Sequence, residues 1–184
     1  MGKVEVRLQR PLTYIIDTNK QELMGYAFQI LSLFAANSGA NSEMYQKLMQ
    51  ALIKDSTNWD KDNKYLIPSL TDFVITMICK YTDFTKQFSG DLINLCKHLM
   101  SQAIRMEGEG LKIASAMLER MGMFDPAFVK DIFFAIFSSL HFYRNNTKGK
   151  VIPTAIMREV LVFFATFVIN FGIQDLINVC NQIQ

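Results

Sequence analysis

Gly110-Leu111-Lys112-Ile113-Ala114-Ser115-Ala116-Met117-Leu118-Glu119-Arg120-Met121-Gly122 is the stretch that decides the fold. Ile113, Ala114, Met117, Leu118 and Met121 recur every three or four residues, which predicts a helix with one apolar face. Gly122 is suited to end it. Asp125 can cap the next helix, and Pro126 takes the favoured first helical position. That second helix, Pro126 to about Arg144, carries Phe128, Ile132, Phe133, Phe134, Ile136, Phe137 and Leu140. Apolarity on nearly every side predicts burial on several sides, as in the inner layer of a stacked array.

The same unit, two helices around a short break, recurs outward in both directions. Upstream, Lys20 to Ala36 carries a stripe of Leu23, Ala27, Ile30, Leu31 and Phe34. A break at Asn37–Asn41 follows, with Gly39 fit for a left-handed cap. Ser42 then opens a helix with Met44, Tyr45, Leu48, Leu52 and Ile53. After a polar loop holding Trp59, a second pair runs to Lys80 and resumes near Ser89 with Leu92, Leu95, Cys96 and Leu99. Pro68 is expected within the first turns of that pair's opening helix. Downstream, Ile152–Phe171, a break at Gly172 and Ile173–Gln184 make the last pair. The pairs open near Gln21, Asn63, Gly108 and Ile152, intervals of 42, 45 and 44 residues. This is the period of HEAT and armadillo repeats.

One helix pair cannot bury its own apolar face, so stacked pairs must share a core. The expectation is therefore all-α: an α-solenoid of about four HEAT-like antiparallel helix pairs over residues 20–184. Residues 1–19 are read as a lead-in, the end of a preceding helix at most. Val4, Val6 and Leu8 alternate like a short strand there, and Pro11 should break an early helix. Asn19 is expected to N-cap the next helix, with Glu22 completing a capping box. No polar capping repeat stands at either end, which suggests a fragment of a longer solenoid whose ends would self-associate.

Composition narrows the function. Half of the 184 residues are apolar and 20% are charged, with 19 basic and 17 acidic side chains for a net charge of +2. That supports a real core and gives no basic stripe for nucleic acid. Cys79, Cys96 and Cys180 form no CxxC pair, and His98 and His141 lack metal-ligand spacing, so no metal or cofactor is expected. The thiols read as small buried hydrophobes. Val160–Ile169, the most apolar stretch, is ten residues long and reads as a buried helix, since a span needs about 20. With no signal peptide behind the charged first residues, a soluble intracellular protein is expected.

Gly108-Glu109-Gly110 with Lys112 lacks the strand and the full pattern of a phosphate loop, so it reads as a helix start. Asn145-Asn146-Thr147 matches a glycosylation sequon but reads as a polar turn. No nucleophile, base and orienting group can be named together, so no catalytic residue is expected. In solenoids the second helices line the partner-facing surface. Lys97, Arg105, Lys130, Asp131 and Arg144, on or beside such helices, are the candidate partner-binding residues; the alternative is ordinary solvated charge.

Gln21-Glu22-Leu23-Met24-Gly25-Tyr26-Ala27-Phe28-Gln29-Ile30-Leu31-Ser32-Leu33 also resembles a helix in the C-terminal half of the importin-α export receptors of the β-karyopherin family. Leu48-Met49-Gln50, Ile67-Pro68-Ser69-Leu70, Leu111–Met121 and Val162–Gln184 resemble further stretches of that family in the same order. The chain departs from the family at Ile53-Lys54, where a tryptophan is replaced, and in a longer loop at 145–150. The resemblance implies a protein-binding segment of a receptor that carries importin-α with RanGTP from nucleus to cytoplasm, without catalysis. Other readings are a different HEAT or armadillo scaffold and, from another class, a compact helical ligand-binding protein.

Overall fold

The computed structural model describes residues 2–37, 43–54, 64–101, 106–122, 126–146 and 152–182. Helices are the only regular elements among them: α1 (Gly2–Asp17), α2 (Gln21–Asn37), α3 (Glu43–Lys54), α4 (Ile67–Lys80), α5 (Ser89–Met100), α6 (Glu107–Met121), α7 (Pro126–Asn146), α8 (Thr154–Phe171) and α9 (Ile173–Asn181). One 3-10 turn, Lys64–Leu66, leads into α4; a helical turn at Thr82–Thr85 and another 3-10 turn at Lys86–Phe88 follow it. The protein is all-α, as the periodicity requires. It divides into two compact units, Met1–Phe88 and Ser89–Gln184.

In the first unit α2 lies along α4, α1 packs on α2 and α3 packs on α4. Phe28 of α2 meets Phe73 of α4 with ring centroids 6.0 Å apart. The buried stripe of α2 is Ala27, Phe28, Leu31 and Ala35. This is a small rotation from the expected stripe: Leu23 is 49% exposed, while Phe28 is fully covered by α4. In α3 the buried face is Tyr45, Met49 and Ile53.

Helix α1 corrects the strand-like reading of the first residues. Val4, Val6 and Leu8 sit in a helix that continues through Pro11. An internal proline costs about 3 kcal/mol or more, and contacts from α1 set against that cost. Leu12 is buried, Tyr45 of α3 donates a hydrogen bond to the Glu5 carboxylate, and Gln9 Nε2 lies 2.7 Å from Met44 Sδ.

Asn19 also differs from expectation. It has φ 48°, the left-handed region that asparagine enters more readily than most residues. Its N–H donates to the Ile16 carbonyl and that of Lys20 to the Ile15 carbonyl, both at 3.0 Å. These are the paired bonds of a Schellman motif. Asn19 therefore closes α1 instead of opening α2. Pro68 stands in the first turn of α4, where its missing N–H leaves no bond unmade.

In the second unit α6 packs against both α5 and α8, α7 packs against α5, α6 and α9, and α8 also meets α9. Helices two apart in sequence thus neighbour one another, α6 beside α8 and α7 beside both α5 and α9. This is the alternation of a two-layer helical repeat. Leu111, Ile113, Ala114, Met117 and Leu118 of α6 are essentially inaccessible. Gly110 permits the close approach of α5: a Cβ there would lie 2.6 Å from Met100 Cγ and 3.0 Å from the Cys96 carbonyl oxygen. Gly122 ends α6 at φ 58°. Gly172 separates α8 from α9 at φ 93°, ψ 162°, a backbone region open to glycine alone. The capping roles read for Gly39, Ser42 and Asp125 lie outside the described residues.

Helix α8 is longer than the ten-residue stretch that marked it. Its 18 residues, Thr154–Phe171, are long and apolar enough to cross a membrane by length and composition. It is not the wholly buried helix expected, because only 22% of it is buried. Val160, Phe163 and Phe167 face inward, while Leu161 (63%), Val162 (45%) and Ile169 (82%) are exposed.

Candidate protein-binding surface

Helix α7 has two unlike faces. Phe128, Val129, Ile132, Phe133 and Ile136 are buried. Phe133 reaches across to α8, where the rings of Phe163, Phe164 and Phe167 lie 5.8, 5.1 and 5.7 Å from it, all edge-on. Edge-to-face pairs of this kind add about 0.5–1.5 kcal/mol each beyond simple burial.

The opposite face runs through Lys130, Phe134, Phe137, His141 and Arg144. Steps of four, three, four and three residues keep all five on one side of the helix. All are exposed, with Phe134 at 65% and Phe137 at 41%. Burial of α7 on several sides was expected, and these two phenylalanines correct that. Pattern alone hid them: a helix with phenylalanine on both faces has no contrast from which to read its orientation.

Charge on this row has one sign. Lys130 and Arg144 stand at its ends with no carboxylate between them in the row. Asp131 turns aside to α5, where it forms an ion pair with Lys97. Those two side chains are 48% and 43% exposed, so the pair contributes at most about 1 kcal/mol and is weakened by salt. Of the candidate residues, the structure thus brings Lys97 and Asp131 together as a cross-link between α5 and α7. It sets Lys130 and Arg144 on the exposed face of α7, and Arg105 lies outside the described residues. Arginine and aromatic side chains are the types that dominate protein interfaces, and a cation beside a ring suits acidic and aromatic groups of a partner.

Two buried carboxylates escaped the sequence reading. Glu107, 3% exposed, begins α6, where the partial positive charge of a helix N-terminus favours an anion. Ser139 of α7 donates to it at 3.5 Å. Glu159 of α8, 8% exposed, accepts from Arg158 through Nε at 3.0 Å and Nη2 at 2.7 Å. Hydrophilic residues at these positions read as surface until the packing around them is known.

Cys96 is wholly buried, and burial raises its thiol pKa well above the ordinary range, so it packs as a small neutral hydrophobe. Cys79, by contrast, is exposed, against the expectation of burial. Among the described residues no three of His, Cys, Asp and Glu gather as a metal site. Gly108 and Gly110 fall in the first turn of α6, and Glu109 pairs with Lys112 at 2.9 Å.

Helix pairs packed in this alternation define a helical-repeat protein. The particular family follows from comparison: the model of the CAS/CSE protein C-terminus matches residues 1–184. The chain belongs to the CAS/CSE family of nuclear transport receptors. Comparison with characterised proteins and with solved structures gave no match.

Proposed function

We propose that this chain is part of a nuclear export receptor that carries importin-α with RanGTP from nucleus to cytoplasm. The observation that carries the proposal is the match to the CAS/CSE C-terminus over all 184 residues, in agreement with the resemblance at Gln21–Leu33 and the collinear stretches after it. Work of this kind is done by binding and release. Ran supplies the GTP hydrolysis and this chain supplies surface and stiffness, shuttling between nucleus and cytoplasm with its cargo.

The exposed row Lys130, Phe134, Phe137 and Arg144 is the part of the segment best suited to a partner, with Lys97 and Asp131 bracing the helix that carries it. Arg105 stays among the proposed contacts on its sequence position. Repeat receptors spread contact over many helices, so the segment alone should bind weakly. Leu161, Val162 and Ile169 on α8 form a second exposed row through which copies of the chain would associate.

The test is binding of importin-α to a receptor that includes this segment, with Ran loaded with GTP or with GDP. Tight binding only with RanGTP is expected, and a double Lys130→Glu, Arg144→Glu receptor should bind at least several-fold more weakly. Binding indifferent to the Ran nucleotide would defeat the export reading. Submicromolar binding by the isolated chain would defeat the claim that contact is distributed.

A further inference from the structure

We infer that helix α1 is a strap: it lifts off α2 and α3 as a unit while α2, α3 and α4 stay folded, and the bond from Tyr45 to Glu5 is the latch that holds it shut. The packing of α1 is thin. Among its described side chains Leu12 alone is buried, with Glu5, Gln9, Ile15 and Ile16 half-buried. Val4, Val6, Leu8 and Tyr14 are exposed. By contrast, α2 buries Ala27, Phe28, Leu31 and Ala35, and α4 buries Phe73, Val74, Met77 and Ile78 among others.

The helix is also weak in itself. Pro11 removes the N–H that would bond the Arg7 carbonyl, and in a helix interior it costs at least as much as burying one leucine returns. The seam with α3 adds little packing. A cavity of about 620 Å³ lies along it, so atoms on either side forgo the contacts that a filled seam would give. Polar contacts cross it instead: Gln9 Nε2 at Met44 Sδ, and the Tyr45 hydroxyl on the Glu5 carboxylate. Elements with few buried apolar contacts are the ones that open locally, below the cost of global unfolding.

Tyr45 makes the latch specific. Its ring is fully covered, so while α1 is down, loss of the Glu5 acceptor leaves a buried hydroxyl unpaired. The other end of the strap has a hinge. Asn19 closes α1 in the left-handed region at φ 48°, and the first bonds of α2, from the N–H groups of Leu23 and Met24, run to the Lys20 carbonyl. The torsions of Asn19 can therefore change without breaking a helical bond of α2. Opening uncovers Leu31 of α2 and Met44 and Leu48 of α3, which line the cavity together with α1. The strap thus governs access to an apolar side of the first unit. It is separate from the α7 row and does not depend on which cargo the family carries.

Amide hydrogen exchange of the 184-residue chain, read by mass spectrometry, tests the strap. In the wild type α1 should be protected, yet exchange at least about tenfold faster than α4. Tyr45→Phe and Glu5→Ala should each speed α1 about tenfold or more, as loss of a hydrogen bond to a charged group does, and together they should go little further. Pro11→Ala, at an exposed position, should slow α1 about as much. Phe73→Leu separates the strap from general loosening. The contact of Phe73 with Phe28 persists when α1 lifts, so exchange of α4 should quicken and that of α1 should stay as it was. Equal quickening of both helices in Phe73→Leu overturns the proposal, since α1 would then open only with the whole unit. So does an α1 that is as slow as α4, or wholly unprotected, in the wild type, and so do latch changes whose effects simply add.

Discussion

The two units solve the same packing problem with different chemistry. In the second, Phe133 of α7 sits among Phe163, Phe164 and Phe167 of α8, and α5 is joined to α7 by the half-exposed pair Lys97–Asp131. In the first, Phe28–Phe73 joins α2 to α4, and α1 is joined to α3 by a hydrogen bond from the buried Tyr45 to Glu5. Helix α7 thus carries aromatic rings on both sides, Phe133 buried and Phe134 and Phe137 exposed. Beside the Tyr45–Glu5 bond a cavity of about 620 Å³ remains, with Ile16, Leu31, Met44 and Leu48 in its lining.

The largest effect should come from emptying the aromatic cluster. Phe133→Ala removes one ring from four and leaves a cavity, with an expected loss of about 3–5 kcal/mol by chemical denaturation. Phe134→Ala, one residue along on the exposed face, should change stability by less than about 0.5 kcal/mol. Equal losses at the two positions would mean that α7 does not have the two unlike faces described.

The bond in the first unit should rank next. Tyr45→Phe removes the donor and leaves the Glu5 carboxylate without it, an expected loss of about 1.5–3 kcal/mol, the range for hydrogen bonds to charged groups. Burial first, and the Glu5 carboxylate second, raise the Tyr45 pKa above that of a free phenol. A raised folded-state pKa means that its contribution is complete below the unfolded value of about 10 and declines as pH rises beyond it. The stability difference between wild type and Tyr45→Phe should therefore be flat through neutral pH and shrink in alkali. A difference that grows in alkali would contradict a buried, neutral phenol.

How much of this was legible in the sequence depends on contrast between neighbouring residues. Helix α6 was plain because Ile113, Ala114, Met117 and Leu118 alternate with Lys112, Glu119 and Arg120. Breaks at Gly122 and Gly172 were plain because few other residues serve there. Helix α1 was obscured because Pro11 and an alternating Val4–Val6–Leu8 argue locally against a helix that tertiary contacts nonetheless support. The inward turn of Tyr45 and Met49 was hidden because Met44, Leu48 and Leu52 are equally apolar. Charged candidates could be named from their place on second helices. That Lys97 and Asp131 meet could not, since the two residues are far apart in sequence and only the packing of α5 on α7 joins them.

A smaller effect tests close approach. Gly110→Ala should gain about 1 kcal/mol of helix propensity but introduces a Cβ 2.6 Å from Met100 Cγ and 3.0 Å from a backbone oxygen. Overpacking of this kind costs about 1–3 kcal/mol, so a net loss of up to about 2 kcal/mol is expected. The methionine can shift but the Cys96 carbonyl is fixed within α5, which decides the sign. Met100→Ala is itself a buried truncation costing about 2–5 kcal/mol, but in that background Gly110→Ala should cost less than it does in the wild type, and an equal cost would place the strain on the backbone alone.

The smallest effect on stability belongs to Lys97→Ala. Its ion pair with Asp131 is half-exposed, so the loss should be below about 1 kcal/mol and should vanish in strong salt. Removing the lysine nevertheless leaves Asp131 as an unpaired acid beside Lys130, on the edge of the basic row. Partner binding through α7 should then weaken more than stability does, and Asp131→Asn should leave binding unchanged or stronger. If Lys97→Ala lowered stability and binding in proportion, the pair would be part of the scaffold only, and the contrast between a buried bond that holds helices and a surface pair that tunes a binding face would fail.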